Sequence, residues 1–199
     1  MNDEQPKKSK LTLYAILIVA FLPLVAAYVA YYTGLGVPQE TVNAGLLLKT
    51  PIKIDELLDD EQSLVFLQDK KWRLLLPLPT VCGEDCQTNF FTTRQVHVRL
   101  GNKSNRVERV ALNLAGDKGE LFLGELKKDH KRLLSVSSDL SKWQSGIKAT
   151  NTELDANTHY YYLVDQEGFV MMAYSVEQSG GQLLKDLKRV LKYSLDYQS

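Results

Sequence analysis

Leu76-Pro77-Leu78-Pro79-Thr80-Val81-Cys82-Gly83-Glu84-Asp85-Cys86 holds both cysteines of the chain and marks the point where one pattern gives way to another. Before it, Trp72–Leu76 is an apolar run of strand character that Pro77 and Pro79 bring to an end. After it, Gly83 to Leu100 reads as a helix, with Gly101 as its C-cap. A Cys-x3-Cys pair at a strand-to-helix junction puts both sulfurs on one helical face, about 40° apart and one turn from each other. Two thiols so placed can bind one soft metal ion, or close a disulfide after local adjustment. The helix N-terminus favours a thiolate, while the neighbouring charges of Glu84 and Asp85 oppose it. A purely structural disulfide is the alternative, but the loop it closes is so short that its entropic benefit is modest.

Working outward, Leu64–Leu67 is a second apolar run, separated from Trp72–Leu76 by Gln68-Asp69-Lys70-Lys71, which suggests a hairpin or two neighbouring strands. Arg106–Leu114 alternates as a strand, Leu133–Val136 is a short strand and Leu140–Ile147 a short helix. Tyr160–Val164 and Phe169–Tyr174 flank Asp165-Gln166-Glu167-Gly168 and form a hairpin whose glycine supplies positive φ. Gly181–Leu195 carries leucines and a valine at helical spacing, an amphipathic closing helix. A β-α-β segment followed by an antiparallel β-β-α unit is the thioredoxin-type plan, so the fold class expected is α/β.

Ahead of this domain lies a membrane segment. No charged residue occurs from Leu11 to Gln39, in a chain whose charged share is 24%. Leu11–Tyr32 is apolar or aromatic apart from Thr12 and Pro23, and as a helix spans roughly 33 Å, enough for a bilayer core. It is too long for a signal peptide and ends in tyrosines rather than small residues, so an uncleaved anchor is the reading. Lys7, Lys8 and Lys10 precede it and no basic residue follows before Lys49, which keeps the tail in the cytoplasm and exports the rest. The organisation expected is a tail over 1–10, a transmembrane helix over 11–32, a stalk over 33–60 and a thioredoxin-like domain over 61–199.

Composition narrows the function classes. Basic and acidic residues balance at 24 each, so no global positive field draws nucleic acid. Two cysteines are too few for a disulfide-rich scaffold or a four-thiolate zinc site. Phosphate-binding, zincin, nucleophile-elbow and dinucleotide motifs are all missing from the sequence.

On these residues the chain resembles the Sco-type assembly proteins of cytochrome c oxidase, anchored thioredoxin-like domains with a Cys-x3-Cys copper site. The likeness covers most of Leu64–Leu195 in layout and rests on Cys82, Cys86 and the Tyr162–Gly168 hairpin. The small single-span Sco-like group associated with the oxidase is more similar still. Its marks here are Asn43-Ala44-Gly45-Leu46-Leu47 with Pro51, Trp72, Gly101 with Arg106-Val107-Glu108-Arg109, and Asp186-Leu187-Lys188-Arg189.

The resemblance implies copper as cofactor and a histidine as third ligand, near position Asn157. The nearest is His159, two residues on and therefore on the same face of an extended segment, about 7 Å along. The implied metal set is Cys82, Cys86 and His159. His97, about 16 Å down the same helix from Cys86, cannot share their ion, and His130 lies in a charge run and reads as solvated. Two departures stand out. Sco proteins usually have proline directly after the second cysteine, where Gln87 stands, and the last proline of the chain is Pro79. With no downstream proline to face the cysteines and a spacing of three, the chain departs from general thiol–disulfide oxidoreductases.

The function these readings imply is a membrane-anchored accessory factor for cytochrome c oxidase assembly, more an assembly factor than an enzyme. Its Cys82–Cys86 pair would bind Cu(I) or keep a partner's copper-site cysteines reduced. The partner would be an oxidase subunit or another copper-site assembly factor, and the location a bacterial inner membrane with the domain periplasmic. The alternative is a non-catalytic scaffold of the oxidase with a structural disulfide.

Overall fold

The computed structural model describes residues 6–34, 42–58, 60–78, 82–150, 154 and 159–197. Pro79 and Asn157, both weighed above, lie outside them. Two units are distinct, Met1–Val42 and Asn43–Ser199.

The first is built on one helix, α1 (Pro6–Thr33), which contains Pro23. Its Lys10–Thr33 portion is long and apolar enough to cross a membrane, and none of it is buried. The tyrosines expected at one end do cluster: the Tyr28 and Tyr32 ring centroids are 4.5 Å apart and those of Tyr31 and Tyr32 5.2 Å.

The second unit follows the order β1 (Leu46–Lys53), α2 (Asp60–Gln68), β2 (Trp72–Leu78), α3 (Glu84–Arg99), β3 (Val107–Asn113), α4 (Asp117–Asp129), β4 (Leu133–Ser137), α5 (Leu140–Thr150), β5 (Tyr161–Val164), β6 (Phe169–Tyr174) and α6 (Gly180–Tyr193). The strands form one sheet in the order β1-β6-β5-β2-β3-β4. β2, β3 and β4 are mutually parallel, whereas β5 runs antiparallel to β2 and turns back into β6. This is the thioredoxin-like plan that the element order leads one to expect. Gly168, at φ 87°, makes the hairpin turn, and Asp165 accepts from the backbone N–H groups of Glu167 and Phe169.

Helices cover both faces because the sheet is apolar on both. Trp72, Leu74, Leu76 and Leu78 of β2 join a core with Cys86, Phe90 and Val96 of α3, Leu123 of α4 and Leu183, Leu187 and Leu191 of α6. Leu75 points to the opposite face, where it joins Phe66 of α2 and Trp143 and Ile147 of α5. Leu74, Leu75 and Leu76 are fully buried, each contributing about 1.5–3 kcal/mol.

Three segments depart from the sequence reading. Leu64–Leu67 belongs to a helix, not a strand: it lies within α2, and Lys70 in the left-handed region (φ 47°) follows the helix end. A short apolar run cannot distinguish helix from strand by pattern alone. The stretch read as stalk contains β1, which pairs antiparallel with β6, so the sheet takes up the chain well before residue 61. The polar pair Lys49-Thr50 and Pro51 interrupt its alternation, and its ladder shifts register between Leu47 and Ile52. Finally, α4 has no counterpart in the sequence reading, because Gly119 and Gly124 interrupt its apolar pattern. Gly119 is required by packing: a Cβ there would meet the Asn113 side chain.

Asp186 fastens the start of this unit. Its buried carboxylate accepts from the backbone N–H groups of Ala44 at 2.8 Å and Gly45 at 3.2 Å, and from the Tyr174 hydroxyl at 3.2 Å. Arg189 donates to Asn43 Oδ1 at 3.1 Å beside it.

Candidate redox and metal site

β2, flanked by β3 and β5 in the sheet interior, delivers the chain to the cysteines. Gly83 caps α3 in extended conformation and offers no side-chain hydrogen bond, so Glu84 and Asp85 supply the negative charge of the first turn. Cys82 and Cys86 are joined by a disulfide with their Cα atoms 5.2 Å apart. The two are not equivalent. Cys86 is buried among Phe90 and the β2 leucines, whereas Cys82 is partly exposed and packs against the rim of that cluster. A nucleophile from outside therefore reaches the Cys82 sulfur, and Cys86 is the natural leaving group, its thiolate developing in the first turn of a helix.

Gln87, where Sco proteins usually carry proline, uses the N–H that a proline would lack: it donates to the Gly83 carbonyl at 3.1 Å and so closes the first turn of α3.

His159 is not assembled with the cysteines. Among the described residues no group of three or more His, Cys, Asp and Glu side chains is placed to hold a metal ion. Its backbone is nevertheless tied to the cysteine-bearing helix, since Asn89 Nδ2 donates to the His159 carbonyl at 2.8 Å. His159 also lines a cavity of about 610 Å³ with Pro77, Trp143, Ile147 and Tyr162. The sequence reading missed Asn89. The clue was present: a polar residue on the buried face of α3, in step with Cys86, Phe90 and Thr93.

The other histidines are structural. His97 Nε2 lies 2.8 Å from the Val107 carbonyl and 3.1 Å from that of Ser104, tying α3 to the approach to β3. His130, read as solvated, is buried: its Nδ1 accepts from Arg109 at 3.2 Å and its ring meets Phe90 edge-on. The charge run had suggested exposure, but the close of α4 turns this one residue inward. Burial, followed by repulsion from nearby arginines, holds both imidazoles below the ordinary histidine pKa.

A family model described as transmembrane-like, thioredoxin-like, C-terminal domain matches residues 72–194. The chain belongs to this family. No curated protein matches it. Among solved structures, its fold is similar to apo Sco1 from Thermus thermophilus (21% identity, TM-score 0.55, covering 77% of this chain and 99% of that one). Copper-bound ScoI of Arabidopsis thaliana aligns at 15% identity and TM-score 0.53, covering 73% of this chain and 99% of its own. Copper-bound yeast Sco1 aligns at 16% identity and TM-score 0.53, over 76% and 96%. At such identities the likeness speaks for the fold: this family member has the thioredoxin-like fold of Sco proteins, preceded by a helix able to span a membrane.

Proposed function

We propose that the protein is a membrane-anchored accessory factor in cytochrome c oxidase assembly that acts through Cys82 and Cys86. The observation that carries this is their asymmetry, an accessible Cys82 bonded to a buried Cys86 at the start of α3 within a Sco-like fold. Lys7, Lys8 and Lys10, at the N-terminal end of α1 and ahead of its apolar run, support a cytoplasmic tail and a domain on the far side of a bacterial inner membrane. The domain begins near Asn43 on this reading.

Two chemistries share the pair. Once two electrons and two protons have reduced the disulfide, the thiols give a soft donor set that fits Cu(I), which accepts low coordination numbers. Copper is then cargo, held by Cys82 and Cys86, with His159 as the added ligand if the segment before β5 swings its imidazole to them. Alternatively the reduced pair serves a partner's disulfide. The Cys82 thiolate attacks one partner sulfur and releases the other as a thiol; Cys86 then attacks Cys82, re-forming the intramolecular disulfide and freeing the second partner thiol. The preformed disulfide without a ready third ligand favours this second use. A scaffold with a structural disulfide needs neither.

Cu(I) titration of the reduced full-length protein decides between them. One equivalent bound by the wild type and lost in Cys82→Ala/Cys86→Ala supports the cargo reading. A mixed disulfide trapped with an oxidase subunit, without copper binding, supports reduction. Normal oxidase assembly with both cysteines replaced leaves only the scaffold.

A further inference from the structure

A second cavity lies away from the disulfide. It has a volume of about 420 Å³, and its walls come from α3, β3 and the turn between α4 and β4. Arg94 stands eight residues beyond Cys86 on α3, about 12 Å along the helix axis. The lining is basic: Arg94, Lys131 and Arg132 at the exposed rim, Arg109 and His130 at the buried floor, and Asp129 as the one acid.

Arg109 makes this more than a charged surface. It is 3% exposed, and no carboxylate pairs with it among the described residues. Its Nε donates to Thr93 Oγ1 at 3.2 Å, and its Nη2 to the Phe90 carbonyl at 2.8 Å and to His130 Nδ1. Nη1 has no protein partner among the described residues and is not among the buried unsatisfied atoms, so it remains available on the wall that Arg109 gives the cavity. Burial, then repulsion from Arg94, lowers its pKa to about 10. Arg94 and Arg132, too, have no ion-pair partner among the described residues, and the arginines repel the two neighbouring histidines. A buried guanidinium without a counter-ion is costly, and other cations around it raise the cost. Chains retain such an arrangement where an anion completes it.

We propose that this cavity binds an oxyanion of the phosphate class, held by Arg94, Arg109 and Arg132. A carboxylate satisfies one guanidinium, whereas a phosphate presents several oxygens to several arginines and suits three cations that line one cavity. The cavity exceeds a bare phosphate in size, so the ligand carries a further group, either a small phosphorylated metabolite or a phospholipid headgroup.

The test is calorimetric titration of the full-length protein in neutral detergent with inorganic phosphate and, separately, with glycerophosphoglycerol, the soluble headgroup of an anionic lipid. Wild type binds at least one of them saturably. Arg94→Gln/Arg132→Gln, both at exposed positions, binds at least about tenfold more weakly while its thermal midpoint without anion does not fall. Arg109→Lys, which keeps the charge but loses the fork, weakens binding as well. Preference for phosphate identifies a soluble phosphomonoester, and preference for the diester a lipid headgroup. No saturable binding of either probe overturns the proposal. So does equal binding by the double variant, or a response matched by sodium chloride at the same ionic strength.

Discussion

Asn89 Nδ2 donates to the backbone carbonyl of His159 at 2.8 Å, so the segment leading into β5 is tied to the helix that starts at the disulfide. The side chain sits one turn beyond Cys86 and is itself buried. Asn89→Ala leaves that carbonyl unsatisfied and costs about 1–2 kcal/mol, readable from thermal unfolding of the full-length chain in detergent. If His159 completes the copper site, the same variant also weakens Cu(I) binding with every donor still in place. Unchanged affinity would put His159 outside the site.

Cys82 and Cys86 differ in access, and their reactivities follow. In the reduced protein, iodoacetamide labels Cys82 well before Cys86, as peptide mass mapping reads directly. Cys86→Ser, with the accessible thiol intact, accumulates a mixed disulfide with its partner, and Cys82→Ser accumulates little. Equal labelling or equal trapping contradicts the asymmetry.

How much of this was legible in the sequence differs between elements. The junction around the cysteines, the Gly168 hairpin and the closing helix were readable because each has local chemistry: a capping glycine, a turn and a clean apolar stripe. α6 even carries a full capping box between Ser179 and Gln182. β1 and α4 were hidden where proline or glycine interrupts periodicity and tertiary pairing supplies the order. At the site, the sulfur pair followed from spacing alone. Asn89 and Arg109 did not, because their roles depend on partners far along the chain.

His97 and His130 make the protein acid-sensitive. Both are held below the ordinary value of 6.5, first by burial and then by nearby arginines. The unfolded chain thus takes up protons on them before the native one does. Their contribution to stability is complete above about pH 6.5 and is lost as pH falls from there toward their native pKa values. The thermal midpoint of His130→Asn therefore declines less steeply below pH 6.5 than that of the wild type. Comparing slopes removes the carboxylate contribution common to both. A slope equal to wild type would show that His130 does not titrate in this range.

Asp186 receives the backbone N–H groups of both Ala44 and Gly45, and Asp186→Ala strands these two donors and the Tyr174 hydroxyl. The expected loss is about 2–4 kcal/mol, measured by chemical denaturation. Gly45→Ala is expected to be comparably harmful, because its Cβ would fall 2.5 Å from the Tyr174 ring. A variant of either kind with wild-type stability would show that the segment repacks.

That fastening has a mechanical side. The chain that emerges from α1 meets the folded domain at Asn43–Gly45, before the first rung of the β1–β6 ladder. Any tension transmitted through the tether is borne first by the Asp186 and Arg189 grips, and only when they slip is the outermost strand peeled away. The cysteines follow β2, three strands further inward and separated from β1 by β6 and β5, and are shielded from that pull.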